Sequence, residues 1–253
     1  MSVAELTIDH LSYHHVLEDI HLQMTSGQMV AVVGPNGVGK STLLKILSGL
    51  WRPTSGQVRW DGQVIHRMSA KERARQIAYI PQYWQEAIPF TVDEFVKMGR
   101  YAHREPTSVL LPELLFQLGL TQYADQPLMH LSGGERQRAI LARCLYQGSE
   151  VILLDEPIAN LDLFYQLEIL STLQTLAKSG RLIVLAIHHL ELALQFCPTC
   201  LLLHDHEVAG FGATSEVMNE EILEKVFQIP MKRYQDPFNH SLRLSYERGG
   251  KQA

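Results

Sequence analysis

The sequence predicts an α/β protein built on a mainly parallel sheet. Met29-Val30-Ala31-Val32-Val33, Val151-Ile152-Leu153-Leu154 and Leu182-Ile183-Val184-Leu185-Ala186-Ile187 are short, unbroken apolar runs, the pattern of strands buried on both faces. Between the second and third runs, Leu167, Leu170, Leu173 and Leu176 recur on one helical face, and Gly180 suits the helix end. Strand, helix and strand in that order make a βαβ unit, whose ligands gather at the carboxyl ends of the strands.

The other elements follow in chain order. Glu5–Asp9 and Ile20–Met24 alternate apolar and polar residues, as half-exposed antiparallel strands do, so an antiparallel β-subdomain is expected near the N-terminus. After the strand 29–33 comes a glycine-rich loop, then a helix over Lys40–Ser48 stopped by Gly49. The run Ile77-Ala78-Tyr79-Ile80-Pro81 ends at Gln82. Beyond it the texture turns helical. Thr91 and Glu94 form a capping box before Phe95, Val96 and Met98, with Gly99 as the stop, and Leu110–Leu118 reads as a second apolar helix. Residues 83–130 are therefore expected to form a helical subdomain inserted into a core made of 1–82 and 131–253. Ser132 and Glu135 make a second capping box, opening a helix through Ala139, Leu141 and Ala142. The tail from Ile229 to Ala253 is weakly patterned.

With 253 residues, 46% of them hydrophobic, the chain can bury a sizeable core. A net charge of −5 makes it no general electrostatic magnet for nucleic acid or anionic lipid. No signal peptide is expected, since Met1–Asp9 holds Glu5 and Asp9 and no basic segment. Runs such as Leu182–Ile187 are far too short to span a bilayer, so a membrane role has to be played through a partner. The cysteines are Cys144, Cys197 and Cys200, which suits a reducing compartment. Cys197-Pro198-Thr199-Cys200 has C-x-x-C spacing, with His204 and His206 nearby, but no second ligand pair at matching spacing. It reads better as the junction between an apolar helix and the strand Leu201–Leu203.

Chemistry is written at the ends of the predicted strands. Gly34-Pro35-Asn36-Gly37-Val38-Gly39-Lys40-Ser41 fits G-x-x-x-x-G-K-[ST] at every fixed position. Glycines there let backbone N–H groups converge on phosphate oxygens, and the following helix start adds its positive end. Lys40 then reaches the β- and γ-phosphates, and the Ser41 hydroxyl ligates Mg²⁺. Asp155 and Glu156 follow the strand 151–154, where a carboxylate can hold Mg²⁺ opposite Ser41 and a second can orient water. His188 ends its strand at the same sheet edge, within reach of a γ-phosphate. Gln82 offers a side-chain amide to the metal or the attacking water. Leu131-Ser132-Gly133-Gly134-Glu135, followed by Gln137, is a second glycine-rich helix start. Glycines in a first turn weaken a helix, and close backbone approach to an anion would explain that cost.

Taken together, these motifs resemble the ABC-type ATPases over essentially the whole chain. Gly34–Ser41 looks like the Walker A loop of that family and Val151–Glu156 like its Walker B strand. Gln82 is similar to the Q-loop glutamine, Leu131–Glu135 to the LSGGE signature, Leu161-Asp162 to the D-loop and His188 to the switch histidine. The resemblance implies a P-loop (RecA-like) ATPase as one domain over 1–253, using ATP and Mg²⁺. It implies nucleotide contacts from Tyr13, which stacks on adenine, and from Gly34, Pro35, Asn36, Gly37, Val38, Gly39, Lys40, Ser41 and Thr42. Glu156, His188, Gln82 and Lys40 would be catalytic, and Ser41, Gln82 and Asp155 would attend the metal. Ser132, Gly133, Gly134, Glu135 and Asp162 would face the nucleotide of a second copy in a head-to-tail dimer. Pro157-Ile158 stands where many relatives have Thr after Pro, Ala159-Asn160 where Ser-Ala is common, and His189 where Asp is usual. None of these departures removes a named catalytic group.

Within the family, Ile80-Pro81-Gln82, Pro89-Phe90-Thr91-Val92, Met98-Gly99-Arg100-Tyr101 and Leu131–Arg143 are similar to the ATPase subunits of bacterial iron–siderophore, haem or cobalamin importers. The expected partners are then a second copy, a transmembrane permease and, indirectly, a periplasmic or surface substrate-binding protein, with no nucleic acid. The expected location is the cytoplasmic face of the inner membrane. Phe90 and Tyr101 are candidates for a groove holding a permease helix, whereas Val96 and Met98 are expected to pack the segment's own core. A soluble ABC-type ATPase acting on a nucleic-acid or ribosomal partner is the alternative. A small-molecule kinase would leave the Ser132 helix and His188 without roles.

Overall fold

The computed structural model describes residues 3–82, 89–103, 109–159, 161–238 and 241–246. The chain runs β1 (Glu5–Tyr13), β2 (Leu17–Thr25), β3 (Met29–Val33), α1 (Lys40–Leu47), β4 (Ser55–Trp60), β5 (Gln63–Val64), α2 (Ala70–Gln76), β6 (Ile77–Ile80) and α3 (Val92–Lys97). It continues through α4 (Leu111–Gln117), α5 (Gly133–Gln147), β7 (Val151–Asp155), α6 (Leu163–Lys178), β8 (Leu182–Ala186), α7 (Leu190–Phe196), β9 (Thr199–His204) and β10 (Glu207–Ala213). It closes with α8 (Thr214–Val217), α9 (Glu220–Phe227), β11 (Met231–Gln235) and β12 (Leu242–Tyr246).

A six-stranded sheet in the order β10-β9-β3-β8-β7-β6 forms the centre, parallel throughout except for β10. A four-stranded antiparallel sheet, β2-β1-β4-β5, packs beside it, and β11-β12 is a separate hairpin. Side-chain alternation divides the central sheet between two cores. Val30, Val32, Leu153, Val184 and Leu203 face α1 and the antiparallel sheet, meeting Leu43, Leu44, Ile8 and Trp60. Ala31, Val33, Leu154, Leu185 and Leu202 face the other way, toward Ile140, Leu170 and Leu173 and on to Phe95 and Leu115. This is why β3, β7 and β8 read as unbroken apolar runs: neither face meets water.

Both helix starts flagged by capping boxes are present, with Thr91 and Ser132 as N-caps and Glu94 and Glu135 reaching back. Gly180, with φ +100, follows the C-cap Ser179 of α6. The buried stripe of α6 is Ile169, Leu170, Leu173 and Ala177, with Leu167 and Leu176 at its margin.

Gly99 does something other than stop a helix. It lies in a 3₁₀ turn continuing from α3, without a left-handed backbone, and a Cβ there would stand 2.4 Å from the Arg143 carbonyl oxygen. It is glycine because α3 and α5 approach closely. Met98 is 36% exposed, so it does not pack a core as expected, whereas Val96 is fully buried. Cys197 and Cys200 are buried free thiols, burial raises the pKa of both, and neither joins a metal-ligating cluster among the described residues. Among the described residues, no helix is long and apolar enough to cross a membrane.

Candidate active site

The carboxyl ends of β3, β6, β7 and β8 lie along one edge of the central sheet, as parallel pairing requires, and the chemistry gathers there. The loop after β3 contributes Asn36, Gly37 and Gly39, and the first turn of α1 contributes Lys40, Ser41 and Thr42, to a cleft of about 330 Å³. Gln82 after β6, Glu156 after β7 and His188 after β8 complete its lining.

The loop's conformation depends on glycine. Gly34 has φ +147, and a Cβ there would lie 2.4 Å from the Leu203 carbonyl oxygen. Gly39 has φ +109, and its Cβ would meet Leu17 Cδ2 at 2.8 Å and the Val16 carbonyl oxygen at 3.0 Å. The turn between β1 and β2 therefore presses directly on the loop. Gly37, at φ +81, has open space around it and faces the cleft. Pro35 and Val38 line a neighbouring cleft, with Asn36 and Gly37 common to both.

Lys40 is buried, and its ammonium donates to the carbonyl oxygens of Gly34 at 2.8 Å and Pro35 at 2.9 Å. Burial lowers its pKa, against the opposing pull of Glu156 and Asp155. The cation thus sits among neutral acceptors, short of the negative charge that would repay its desolvation. Asp155 is 1% exposed and accepts a hydrogen bond from Ser41 Oγ at 3.0 Å. Burial raises its pKa despite that bond. A hydroxyl and a buried carboxylate side by side are hard oxygen donors of the kind Mg²⁺ takes. Glu156 adopts a left-handed backbone, φ 54, its N–H donating to the Ala186 carbonyl oxygen at 3.1 Å. Its carboxylate is paired with His188 Nε2. Left-handed non-glycine residues cluster at functional sites.

Other expected site residues stand elsewhere. Tyr13 is outside the cleft lining, stacked on Trp51 with ring centroids 5.5 Å apart and an interplanar angle of 18°. Ser132, Gly133, Gly134 and Glu135 start α5 away from the cleft. The Glu135 carboxylate caps the Ser132 N–H at 2.8 Å and is also held by Tyr123. Asp162 is the exposed N-cap of α6, accepting from the Tyr165 N–H at 3.1 Å. Ile158 is buried and His189 exposed, while Asn160 lies outside the described residues. Trp51, whose aromatic partner is distant in the chain, and Tyr123 carry no sequence motif that marks them. Gln137 has a structural role. Its amide donates to the Pro157 carbonyl oxygen at 3.3 Å, tying α5 to the loop beyond Glu156.

A family profile described as ABC transporter matches residues 17–159. The iron(3+)-hydroxamate import ATP-binding protein FhuC of Bacillus subtilis is 39% identical over 241 residues, covering 92% of this chain and 90% of that protein. The hemin import ATP-binding protein HmuV of Rhodopseudomonas palustris strain BisA53 is 38% identical, covering 85% and 83%. A solved ATP-binding subunit of an ABC transporter is 26% identical, with TM-score 0.80, covering 88% of this chain and 98% of that one. The chain belongs to the ABC transporter family of ATP-binding proteins.

Proposed function

We propose that the chain is the ATP-hydrolysing motor of a bacterial importer for iron–siderophore, haem or cobalamin. It works as a head-to-tail dimer closed over two MgATP, on the cytoplasmic face of the inner membrane. A transmembrane permease is its direct partner, and a substrate-binding protein acts on it only through that permease. The observation that carries the dimer is Gly133. It is exposed, has no left-handed backbone, and a Cβ there would meet nothing within 4 Å. Among the described residues nothing requires glycine there, so the requirement comes from outside: a phosphate brought to the start of α5 by a second copy.

The cleft residues then divide the work. The loop amides and Lys40 receive the β- and γ-phosphates, which give the buried ammonium its missing countercharge. Ser41 and Asp155 would hold Mg²⁺, with Gln82 at its margin, and the bound ion would supply positive charge to offset that on the phosphoryl oxygens. Glu156 orients the attacking water and takes its proton. His188 fixes the Glu156 carboxylate and reaches toward the γ-phosphate. Asp162 and the Ser132 helix close the site from the partner copy, and Tyr13, backed by Trp51, stacks on adenine.

Phe90, 39% exposed, and Tyr101, 94% exposed, flank α3 and suit a groove for a short permease helix. Residues 83–130 are assigned as the subdomain that carries this docking surface; 83–88 and 104–108 lie outside the described residues. Expression with the membrane subunit tests the reading. Co-purification in detergent, with ATPase stimulation lost in the Phe90→Ala/Tyr101→Ala double variant while basal turnover persists, is the expected result. A chain that never associates with a membrane subunit would contradict it.

A further inference from the structure

Away from the cleft, β1 and β2 are each interrupted by an extra residue. Ile8 pairs with Leu22 and Leu11 with Ile20, so Asp9 and His10 together stand opposite the single residue His21. Leu11 pairs with Ile20 and Tyr13 with Leu17, so Glu18 and Asp19 together stand opposite Ser12. In a regular strand Asp9 and His10 would point to opposite faces. The bulge lets Ile8 and Leu11 both stay buried while Asp9 and His10 stay out of the core.

Backbone strain accompanies this arrangement. His10 and Asp19 adopt left-handed conformations, φ 45 and 47, which non-glycine residues seldom take. The adjacent strand β4 makes room only through Gly56, where a Cβ would lie 2.2 Å from the His10 carbonyl oxygen and 2.4 Å from that of Asp9.

Four polar side chains converge as a result. Asp9, His10 and His21 each offer a ligand atom, all within 4.8 Å of one another. The two imidazoles stack with centroids 4.8 Å apart, and Asp9 Oδ1 lies 3.8 Å from His21 Nδ1. His10 Nδ1 donates to Asp19 Oδ1 at 2.7 Å, and the Asp19 backbone N–H is fixed by Ser12 Oγ at 3.1 Å. With Nδ1 committed to Asp19, the free nitrogen of His10 is Nε2. A carboxylate holding the far nitrogen of an imidazole is the usual outer shell of a metal-bound histidine. Two imidazoles and a carboxylate select a transition-metal dication over Mg²⁺ or Ca²⁺.

We propose that Asp9, His10 and His21 bind one dication of the zinc class, water completing its coordination, with Asp19 as the positioning residue for His10. None of the four lines the cleft after β3, and the proposal does not rest on the transport reading.

The test is calorimetric titration of the untagged, full-length chain with Zn²⁺ in excess Mg²⁺, which occupies hard-oxygen sites. One equivalent of Zn²⁺ should bind and raise the melting temperature. Replacing His10 by Asn, which tolerates the left-handed backbone, together with His21→Ala should abolish that equivalent, while the metal-free melting temperature stays near wild type because both side chains are exposed. Asp19→Asn should keep the one-to-one stoichiometry but weaken affinity about 10–100-fold, the range for loss of an outer-shell partner. His14→Ala/His15→Ala should bind as wild type does. Equal Zn²⁺ binding by wild type and the His10→Asn/His21→Ala variant would overturn the proposal, as would loss of binding in the His14→Ala/His15→Ala control.

Discussion

Ser41 Oγ donates to Asp155 Oδ1 at 3.0 Å, a bond that spans 114 residues of sequence. It joins the first turn of α1 to the last residue of β7 and stands at the edge of the cleft. Burial, with the Glu156 carboxylate beside it, raises the Asp155 pKa, and the Ser41 hydroxyl and the Lys45 and Lys40 ammonium groups offset this only in part.

A stability consequence follows for Asp155. A folded pKa above the ordinary carboxylate value means that folding favours the protonated form. Its contribution is fully present below the unfolded value and is lost as pH rises through the folded one. At neutral pH the ionised Asp155 is therefore a liability in the nucleotide-free chain. Asp155→Asn should melt higher than wild type at neutral pH, and the two curves should converge as pH falls toward the carboxylate range. It should also lose the extra thermal shift that Mg²⁺ adds to ATP. A lower melting temperature for the variant at neutral pH would contradict this.

Lys40→Ala should weaken ATP binding about 10–150-fold, the loss of a charge-assisted contact of roughly 1.5–3 kcal/mol. The apo protein should tolerate the change, since the ammonium's hydrogen-bond partners among the described residues are two neutral carbonyls, Gly34 and Pro35, and its burial already disfavours the charge. Equilibrium binding of ATP reads the effect directly. Unchanged affinity would remove Lys40 from the phosphate site.

Gly133→Ala separates fold from function. With no left-handed backbone and no neighbour to meet among the described residues, alanine at the start of α5 should leave the isolated chain's stability unchanged or raise it by up to about 1 kcal/mol of helix propensity, read as an equal or higher melting temperature. ATPase activity should nevertheless fall, because closure over the partner's nucleotide is hindered. Gly34→Ala is the contrasting case: the methyl would press on the Leu203 carbonyl oxygen, so the fold itself should weaken.

Tyr13→Ala should weaken ATP more than inorganic triphosphate, by about 1–3 kcal/mol if its stacking resembles other base–aromatic contacts. Competition binding with the two ligands decides it. Equal losses with a lower melting temperature would make Tyr13 a packing partner of Trp51 and no more.

The fold class and the cleft were legible because their signals are local. An unbroken run such as Val30–Val33 reports burial on both faces, and the fixed spacing of the glycine loop with Lys40 and Ser41 marks one wall of the cleft. The parts that stayed hidden depend on distant neighbours. Gly99 looked like a helix stop, yet its reason is the Arg143 carbonyl on another helix. Met98 continued an apolar pattern but ends half exposed because the chain turns there into a 3₁₀ segment. The tail gave no pattern, since the β11–β12 hairpin buries chiefly Met231 and Leu244 among exposed neighbours. The bulges of β1 and β2 appear only when the two strands are set in register.

The most direct test of a two-copy ATPase is the mass of Glu156→Gln with MgATP. Glutamine keeps the shape of the side chain while removing the base, so hydrolysis should fall by about 10²-fold or more with ATP binding intact. Sedimentation should show the 28.7 kDa chain doubling in mass on addition of MgATP, with two nucleotides retained per dimer. Adding Gly133→Ala should weaken that association. A variant that binds ATP yet stays monomeric, or that turns over at the wild-type rate, would contradict the assignment of Glu156 and of the shared site.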